Sequence, residues 1–223
     1  GVAEEDLADA VADADILLMC YAPITRRVIE RAPRLRGIVK YGVGIDAIDI
    51  PAAKDHGVVV VNVPEYGEIT VAEGAFLLML ALLRKLTGIS GTMQTVGWTW
   101  PEPRRLGRDV DGVRVGLIGL GRIGQSMARM AGAGFGAHVI AYDPIKPDEA
   151  FTVAGVERSH SLHDVLARAD VVSLHTVLTD ETLHLIGAAE LEAMRPTAYL
   201  VNVSRGALID EQALIRALDA GQI

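Results

Sequence analysis

The chain has 223 residues and a formal net charge of -8; half of its residues are hydrophobic and 22% are charged. These values are typical of a folded protein of one or two domains. The acidic balance argues against nucleic acid and anionic membranes as partners, because both recognise clustered Lys and Arg. The one cysteine, Cys20, excludes an internal disulfide and a multi-thiolate zinc site, so a reducing, cytoplasmic setting is expected.

We interpret both ends of the sequence as truncated. The chain begins with Gly1 instead of an initiator Met, and residues 220–223 resemble the middle of a helix-to-strand turn. Residues 1–14 are acidic and contain no apolar stretch of the kind found in signal peptides. The most apolar run, 75–83, is too short to span a membrane. We therefore expect a fragment of a longer protein that has no membrane partner.

Short apolar runs alternate with helical patterns in the first part of the chain. The apolar runs predict strands at 15–20, 37–41 and 58–61, and the patterns around them predict helices at 4–12, 25–31 and 50–56. Continuous apolar strands separated by helices indicate a parallel sheet that is covered on both faces.

The same alternation restarts after a long apolar helix predicted at 71–85. An irregular connection with Trp98, Pro101 and Pro103 is predicted at 97–111. The elements predicted after it are a strand at 113–118, a helix at 122–133 and strands at 137–142, 171–174 and 198–203. The sequence thus predicts two α/β units in series, with a boundary between Val61 and Val71.

A glycine-rich segment stands directly between the strand predicted at 113–118 and the helix predicted at 122–133. In a dinucleotide-binding turn the first glycine, here Gly119, permits the tight turn. The second, Gly121, lets the backbone approach a pyrophosphate, and the third, Gly124, lets the helix pack close to the strand. An ordinary glycine-rich βαβ turn is the alternative, but a strand before and a helix after the motif favour NAD binding.

A carboxylate follows the next predicted strand at the distance that this motif requires. Asp143 lies 143 − 124 = 19 residues after Gly124. A carboxylate there accepts hydrogen bonds from the ribose hydroxyls and repels a 2′-phosphate. Asp143 therefore predicts a preference for NAD over NADP.

Two further segments follow predicted strands, where ligands bind in open α/β sheets. Arg205 can pair with a substrate carboxylate and polarise the adjacent carbonyl, or it can be a salt-bridged surface side chain. The turn at Gly42–Gly44 can present its N–H groups to an anion, or it can be an ordinary tight turn.

Three histidines are candidates for chemistry. His175 follows the strand at 171–174 and can border the nicotinamide or the ribose of a bound cofactor. His160 and His163 suggest a metal site by their spacing, but no matching third ligand is present and a helix start at Ser161 explains them. No metal site is expected.

Six segments distributed over essentially the whole chain form an ordered set of motifs. They are YGVGIDAIDIPAA (41–53), NVPEYGEITVAE (62–73), VGLIGLGRIGQSMA (115–128), AYDP (141–144), DVVSLHTVLTDET (170–182) and NVSRGALID (202–210). Together they resemble the D-isomer-specific 2-hydroxyacid dehydrogenases, a family that includes phosphoglycerate, glyoxylate/hydroxypyruvate and formate dehydrogenases.

The resemblance implies an NAD-dependent enzyme of the EC 1.1.1 class that interconverts a small D-2-hydroxy acid and its 2-keto acid by hydride transfer. It implies a partial flavodoxin-like substrate domain at 1–66 and a Rossmann-type NAD-binding domain at 67–223, whose C-terminal part is missing. Both domains are expected to contain parallel sheets. Members of the family usually pair as homodimers through the cofactor domains.

The resemblance also assigns site residues. It implies that Arg205 binds the substrate carboxylate and that the backbone of Val43 and Gly44 donates to it. The residues that it places around NAD are Gly121, Arg122, Ile123, Asp143, Thr176, Thr182 and Val203. Arg, Glu and His form the family's catalytic triad. The Glu and the His are expected beyond Ile223, so the 223-residue chain alone is expected to be inactive.

Three positions depart from the family pattern. Gly67 and Glu68 stand where many members have Asn followed by Thr or Ser, and Val177 stands where Pro is usual. At Tyr66 the sequence resembles a subgroup of the family related to the C-terminal binding proteins. This similarity gives a second hypothesis, an NAD(H)-sensing binding protein whose affinity for its partner depends on the cofactor.

Overall fold

The computed structural model describes residues 2–100 and 102–223, without the side chain of Arg104. The chain divides into two compact units, Gly1–Gly67 and Glu68–Ile223. Pro101, which belongs to the irregular connection predicted at 97–111, lies outside the described residues, as does Gly1.

The first unit contains a three-stranded parallel sheet with the strand order β1-β2-β3. Its elements are α1 (Glu4–Ala10), β1 (Ile16–Met19), α2 (Arg26–Arg31), β2 (Gly37–Lys40), α3 (Ile50–Asp55) and β3 (Val59–Val61). The side chains of Thr25 and Asp49 accept hydrogen bonds from the first turns of α2 and α3. These caps satisfy free N–H groups and explain why the two helices begin where they do.

The apolar core of the first unit lies on one face of its sheet. Side chains from all three helices pack there in one cluster with Met19 and Ile38. Four side chains of the edge strands are between 50% and 74% exposed, namely Ile16, Leu18, Val59 and Val61. The prediction that this sheet is covered on both faces is wrong for the described residues, because the helices of the unit pack on the same face.

The second unit is built on a five-stranded parallel sheet with the order β6-β5-β4-β7-β8. The strands are β4 (Arg114–Ile118), β5 (His138–Tyr142), β6 (Glu157–Ser159), β7 (Val171–Leu174) and β8 (Tyr199–Asn202). The chain runs outward from β4 to one edge and then returns to fill the other side, which is the Rossmann topology. The α/β class with parallel sheets is thus confirmed.

Seven α-helices are present in the described part of this unit. They are α4 (Glu68–Leu83), α5 (Leu86–Val96), α6 (Arg122–Arg129), α7 (Asp148–Ala154), α8 (Leu162–Arg168), α9 (Ala188–Ala193) and α10 (Glu211–Asp219). Ser161 caps α8, which confirms the helix start predicted there. No helix in the described ranges is long and apolar enough to cross a membrane.

A buried carboxylate stabilises the amino end of β7. Asp170 is 5% exposed, and its carboxylate accepts hydrogen bonds from the Arg114 amide at 2.9 Å, from Arg108 at 3.3 Å and from Arg195 at 2.8 Å. Burial raises the pKa of Asp170, but the amide and the two guanidinium groups outweigh it and hold the pKa below its ordinary value of 3.8. The stabilisation is therefore complete when the pH is well above the ordinary pKa of the group, and it is lost as the pH falls through the lower folded-state pKa.

We expect Asp170→Asn to lower the free energy of unfolding of the full-length protein by about 2 kcal/mol at neutral pH, because two cations lose their buried partner. The difference from wild type should shrink in acid. Urea unfolding at neutral and acidic pH measures both effects. Asp148→Asn is the control, since Asp148 pairs with Arg158 at the surface and should matter little. Equal losses in the two variants would contradict the assignment.

Candidate functional site

The parallel register of the second unit brings four strand ends into one row. Ile118 pairs with Tyr142 on one side and with Leu174 on the other, and Leu174 pairs with Asn202. The residues that leave the sheet directly after these four are Gly119, Asp143, His175 and Val203. Ligands of open parallel sheets bind at this edge, where the strand order reverses between β4 and β7.

The turn from β4 into α6 depends on two glycines that the packing of the chain requires. Gly119 has a φ of 97°, and a side chain there would lie 2.7 Å from the carbonyl oxygen of His175. A Cβ at Gly124 would overlap the carbonyl oxygen of Gly119. The helix therefore approaches the strand only because both side chains are absent.

Gly121 differs, because no contact within the described chain requires a glycine there. Its φ of -69° and ψ of -170° are accessible to any residue, and a Cβ would meet no described heavy atom within 4 Å. Gly121 precedes α6 as its N-cap and supplies no side-chain cap. Open space beside the first N–H groups of a helix is the environment that a pyrophosphate needs, so the turn fits a dinucleotide.

Asp143 connects the end of β5 to the glycine turn. One carboxylate oxygen accepts a hydrogen bond from the Leu120 amide at 2.9 Å. The other accepts from the amides of Ile145 and Lys146 at 3.0 and 3.2 Å. The half-buried carboxylate thus stands beside the turn, at the strand end where a ribose-binding acid is expected.

His175 lies behind the glycine turn with its imidazole in the interior. The residue is 9% exposed, and Nε2 lies 2.9 Å from the hydroxyl of Ser173, which is fully buried. Nδ1 is buried and has no hydrogen-bond partner among the described residues. Burial lowers the pKa of His175 to about 4, so the ring is neutral at physiological pH. Contact between this side chain and the cofactor stays a prediction.

Arg205 lies on a loop that two side chains of the same segment fix. The Asn202 side chain accepts from the Ser204 amide at 2.9 Å and donates to the Arg205 carbonyl at 2.8 Å. The Ser204 hydroxyl donates to the carbonyl of Leu174 at 2.9 Å. The half-buried guanidinium of Arg205 donates to the Ser204 carbonyl at 2.9 Å. The loop therefore holds Arg205 at the same sheet edge as the glycine turn.

The remaining cofactor candidates belong to the segments that leave this edge. Thr182 donates to the Val177 carbonyl and accepts from the Thr179 amide, both at 2.7 Å, and so fixes the loop after β7. The other candidates in these segments are Arg122, Ile123, Thr176 and Val203, of which Ile123 and Val203 pack against the core.

The candidate substrate residues of the first unit lie in the turn after β2. Gly42 has a φ of 147°, and the carbonyl groups of Gly42 and Val43 accept hydrogen bonds from Val63 at 3.1 Å and Asn62 at 2.7 Å. These bonds are accepted by carbonyl groups of the turn, and they fix the segment that carries Val43 and Gly44. The Gly42 N–H donates to the Lys40 carbonyl at 2.9 Å, so the N–H groups proposed for an anion are those of Val43 and Gly44.

Two serines at this edge are not identified from the sequence: Ser173, which lies in β7, and Ser204, which bonds to its end. Ser173 is a polar residue inside an apolar strand, which is the signal that could have identified it. Ser204 forms part of an Asn-x-Ser turn, which has a recognisable spacing, but its bond to Leu174 crosses to another strand. No group of three or more metal-ligating side chains occurs in residues 2–100 and 102–223.

The fold and the glycine turn define a dinucleotide-binding domain of the kind found in oxidoreductases. Residues 76–223 match the family model described as D-isomer specific 2-hydroxyacid dehydrogenase, NAD binding domain. The chain therefore belongs to the D-isomer specific 2-hydroxyacid dehydrogenase family, and the predictions of a Rossmann-type domain and of NAD as its cofactor are confirmed.

Relatives of known name extend the similarity over the first unit. A D-3-phosphoglycerate dehydrogenase of Methanocaldococcus jannaschii is 40% identical over 224 residues, which are 100% of this chain and 42% of the relative. A glyoxylate reductase of Korarchaeum cryptofilum is 39% identical over 97% of this chain and 66% of its own length. The chain thus spans between about four tenths and two thirds of these relatives.

A solved structure supports the same conclusion. D-lactate dehydrogenase of Aquifex aeolicus, complexed with NAD and lactic acid, has a TM-score of 0.90 and 30% sequence identity to this chain. The similarity covers 97% of this chain and 64% of that protein.

The different environments of Gly121 and Gly124 predict different effects of adding one methyl group. In the full-length protein, Gly121→Ala should raise the Kd for NADH at least about tenfold and leave the melting temperature nearly unchanged, because only the ligand space is filled. Gly124→Ala should lower the melting temperature by several degrees, because the helix must move off the strand. NADH fluorescence titration and thermal unfolding measure the two quantities. Tight NADH binding by Gly121→Ala would show that no phosphate approaches this position.

Proposed function

We propose that the full-length protein is an NAD-dependent dehydrogenase that interconverts a D-2-hydroxy acid and its 2-keto acid by hydride transfer. The observation that carries this proposal is the meeting of the glycine turn, the Asp143 carboxylate and the Arg205 loop at one sheet edge. The names of the relatives, which are dehydrogenases and reductases, support it further. They give no support to the alternative of an NAD(H)-sensing binding protein.

The residues of this chain have distinct roles in the proposed reaction. Arg205 pairs with the substrate carboxylate, and its charge polarises the neighbouring carbonyl group. The first N–H groups of α6 hold the pyrophosphate, and Asp143 holds the ribose. Bound NAD supplies the hydride chemistry, while the protein contributes position and charge. Val43 and Gly44 stay proposed backbone donors to the substrate, in a substrate domain proposed at 1–66 that precedes the cofactor domain at 67–223.

Removal of the Arg205 charge tests this role. We expect Arg205→Gln in the full-length protein to lower kcat/KM for glyoxylate or pyruvate by about 30-fold or more, because a charge-assisted contact to the carboxylate is lost. The Kd for NADH should stay within about twofold of wild type. Steady-state kinetics on a panel of 2-keto acids gives the first value, and NADH fluorescence gives the second. An unchanged kcat/KM on every active substrate would exclude Arg205 as the carboxylate partner.

We infer from Asp143 a preference for NAD over NADP. Asp143→Asn keeps an oxygen that can accept from the Leu120 amide but removes the negative charge. We expect the ratio of NADPH to NADH affinity to rise about tenfold or more, because repulsion of the 2′-phosphate disappears. Titration with both cofactors measures the ratio. A ratio equal to that of wild type would mean that another group selects the cofactor.

We also propose a homodimer that forms through the cofactor domain and acts in the cytoplasm. Apolar side chains of α4, α5 and the following segment support the dimer, since they lie exposed on the second unit: Leu77, Leu78, Leu86, Met93, Val96, Trp98 and Trp100. Large exposed apolar patches are typical of protein interfaces. A monomeric mass of the full-length protein in light scattering would contradict the dimer.

The proposed location in the cytoplasm is supported by the single, half-buried cysteine, which suits a reducing compartment.

A further inference from the structure

The carboxyl end of β7, residues 173–176, contacts both segments on which the proposed function depends. On one side it packs against the glycine turn, and on the other it accepts a hydrogen bond from the loop that carries Arg205. We call these four residues the β7 end. Its position between the two segments follows from the strand order, in which β7 lies between β4 and β8.

The contact with the glycine turn is made by the backbone of His175. Its amide donates to the Ile118 carbonyl at 2.7 Å and so continues the pairing with β4 past the last strand residue. The His175 carbonyl carbon would lie only 2.8 Å from a Cβ at Gly119. The position of the His175 backbone therefore limits where the turn can lie.

The imidazole of His175 lies in the interior and contacts its own strand. Its Nε2 lies 2.9 Å from the buried Ser173 hydroxyl, two residues back on the same strand. Nδ1 has no partner within the described chain although it is buried. A buried polar atom without a partner costs free energy, so an apolar side chain would suit stability better at this place. Stability therefore does not explain the polar side chain, whereas its hydrogen bond to Ser173 links it to the β7 end.

The contact with the Arg205 loop is made by the hydroxyl of Ser204. This hydroxyl donates to the Leu174 carbonyl at 2.9 Å, across 30 residues of sequence. The carbonyl of the same serine accepts a hydrogen bond from the Arg205 guanidinium at 2.9 Å. Ser204 therefore connects the side chain of Arg205 to a fixed point on the sheet.

We propose that Ser204 and His175 are positioning residues, which hold the Arg205 loop and the glycine turn, respectively, against the β7 end. The inference about Ser204 rests on the proposed function, because it needs Arg205 to bind the substrate. The inference about His175 concerns cofactor binding and needs no turnover. The two halves of the site thus share one support but are held by different side chains.

Separate variants in the full-length protein test the two parts of the proposal, which we call the Ser204 arm and the His175 arm. Ser204→Ala should raise KM for glyoxylate or pyruvate about 3- to 10-fold, the effect of one lost hydrogen bond, and leave the Kd for NADH within about twofold. Ser204→Thr keeps the hydroxyl and should restore KM.

His175→Leu should raise the Kd for NADH about 3- to 10-fold, and His175→Gln, which can still reach Ser173, should recover most of the affinity.

Ser159→Ala is the matched control, because it removes a buried serine hydroxyl of the same sheet whose partners are Ser161 and Asp164. It should lower the melting temperature without changing KM or Kd. If Ser204→Ala behaves like this control, or if Ser204→Thr does not restore KM, Ser204 has only a structural role. If His175→Leu does not fold, Ser173→Ala removes the same hydrogen bond alone, and an unchanged Kd for NADH would overturn the His175 arm.

Failure of the proposed function gives a different pattern. In that case the full-length protein reduces none of the 2-keto acids, so no KM exists to be changed and the inference about Ser204 fails with the proposed function. The His175 arm is still decided by NADH fluorescence. If Arg205→Gln has its expected effect while Ser204→Ala has none, the proposed function stands and the inference about Ser204 is wrong.

Discussion

The close packing of α6 on the carboxyl end of β4 is the contact on which the rest of the site depends. Without a side chain at Gly124, the helix can begin almost directly after the strand, and its first N–H groups stand at the sheet edge. The opposite side of the same turn is closed by the β7 end, which leaves no room for a side chain at Gly119. Two steric limits thus fix the position of the glycine turn, the proposed phosphate site, before any ligand contributes.

The sequence predicts well what local pattern determines. Each predicted strand agrees with an observed strand to within one residue at either end, because continuous apolar runs between helices are distinctive. Helix α5 was missed because it contains Gly88, Gly91 and three threonines, which are poor helix formers. The exposed face of the first sheet was also missed, because apolar strands do not show on which side their helices pack.

The same distinction applies to the site. The glycine turn and Asp143 form local motifs, so residue spacing was sufficient to predict their positions at the strand ends. The bond between Ser204 and Leu174 joins two strands, and its existence depends on the register that sets Leu174 opposite Asn202. The pair of Ser173 and His175 is close in sequence, but only burial shows that the imidazole faces the interior. Features that depend on register or burial therefore need the structure.

In the proposed function, Asp143 combines stability with cofactor selectivity at this edge of the sheet. Its carboxylate accepts from the Leu120 amide inside the turn, and from two amides that follow its own strand. A carboxylate has about four lone-pair sites, so these three bonds leave about one site for a ribose hydroxyl. In the proposed function, the negative charge that disfavours a 2′-phosphate is therefore held in place by the turn proposed to bind the pyrophosphate. A neutral residue that accepts no hydrogen bond would remove the proposed selectivity and would also free the Leu120 amide. Substitutions that alter cofactor preference without loosening the turn must consequently retain an acceptor at this position.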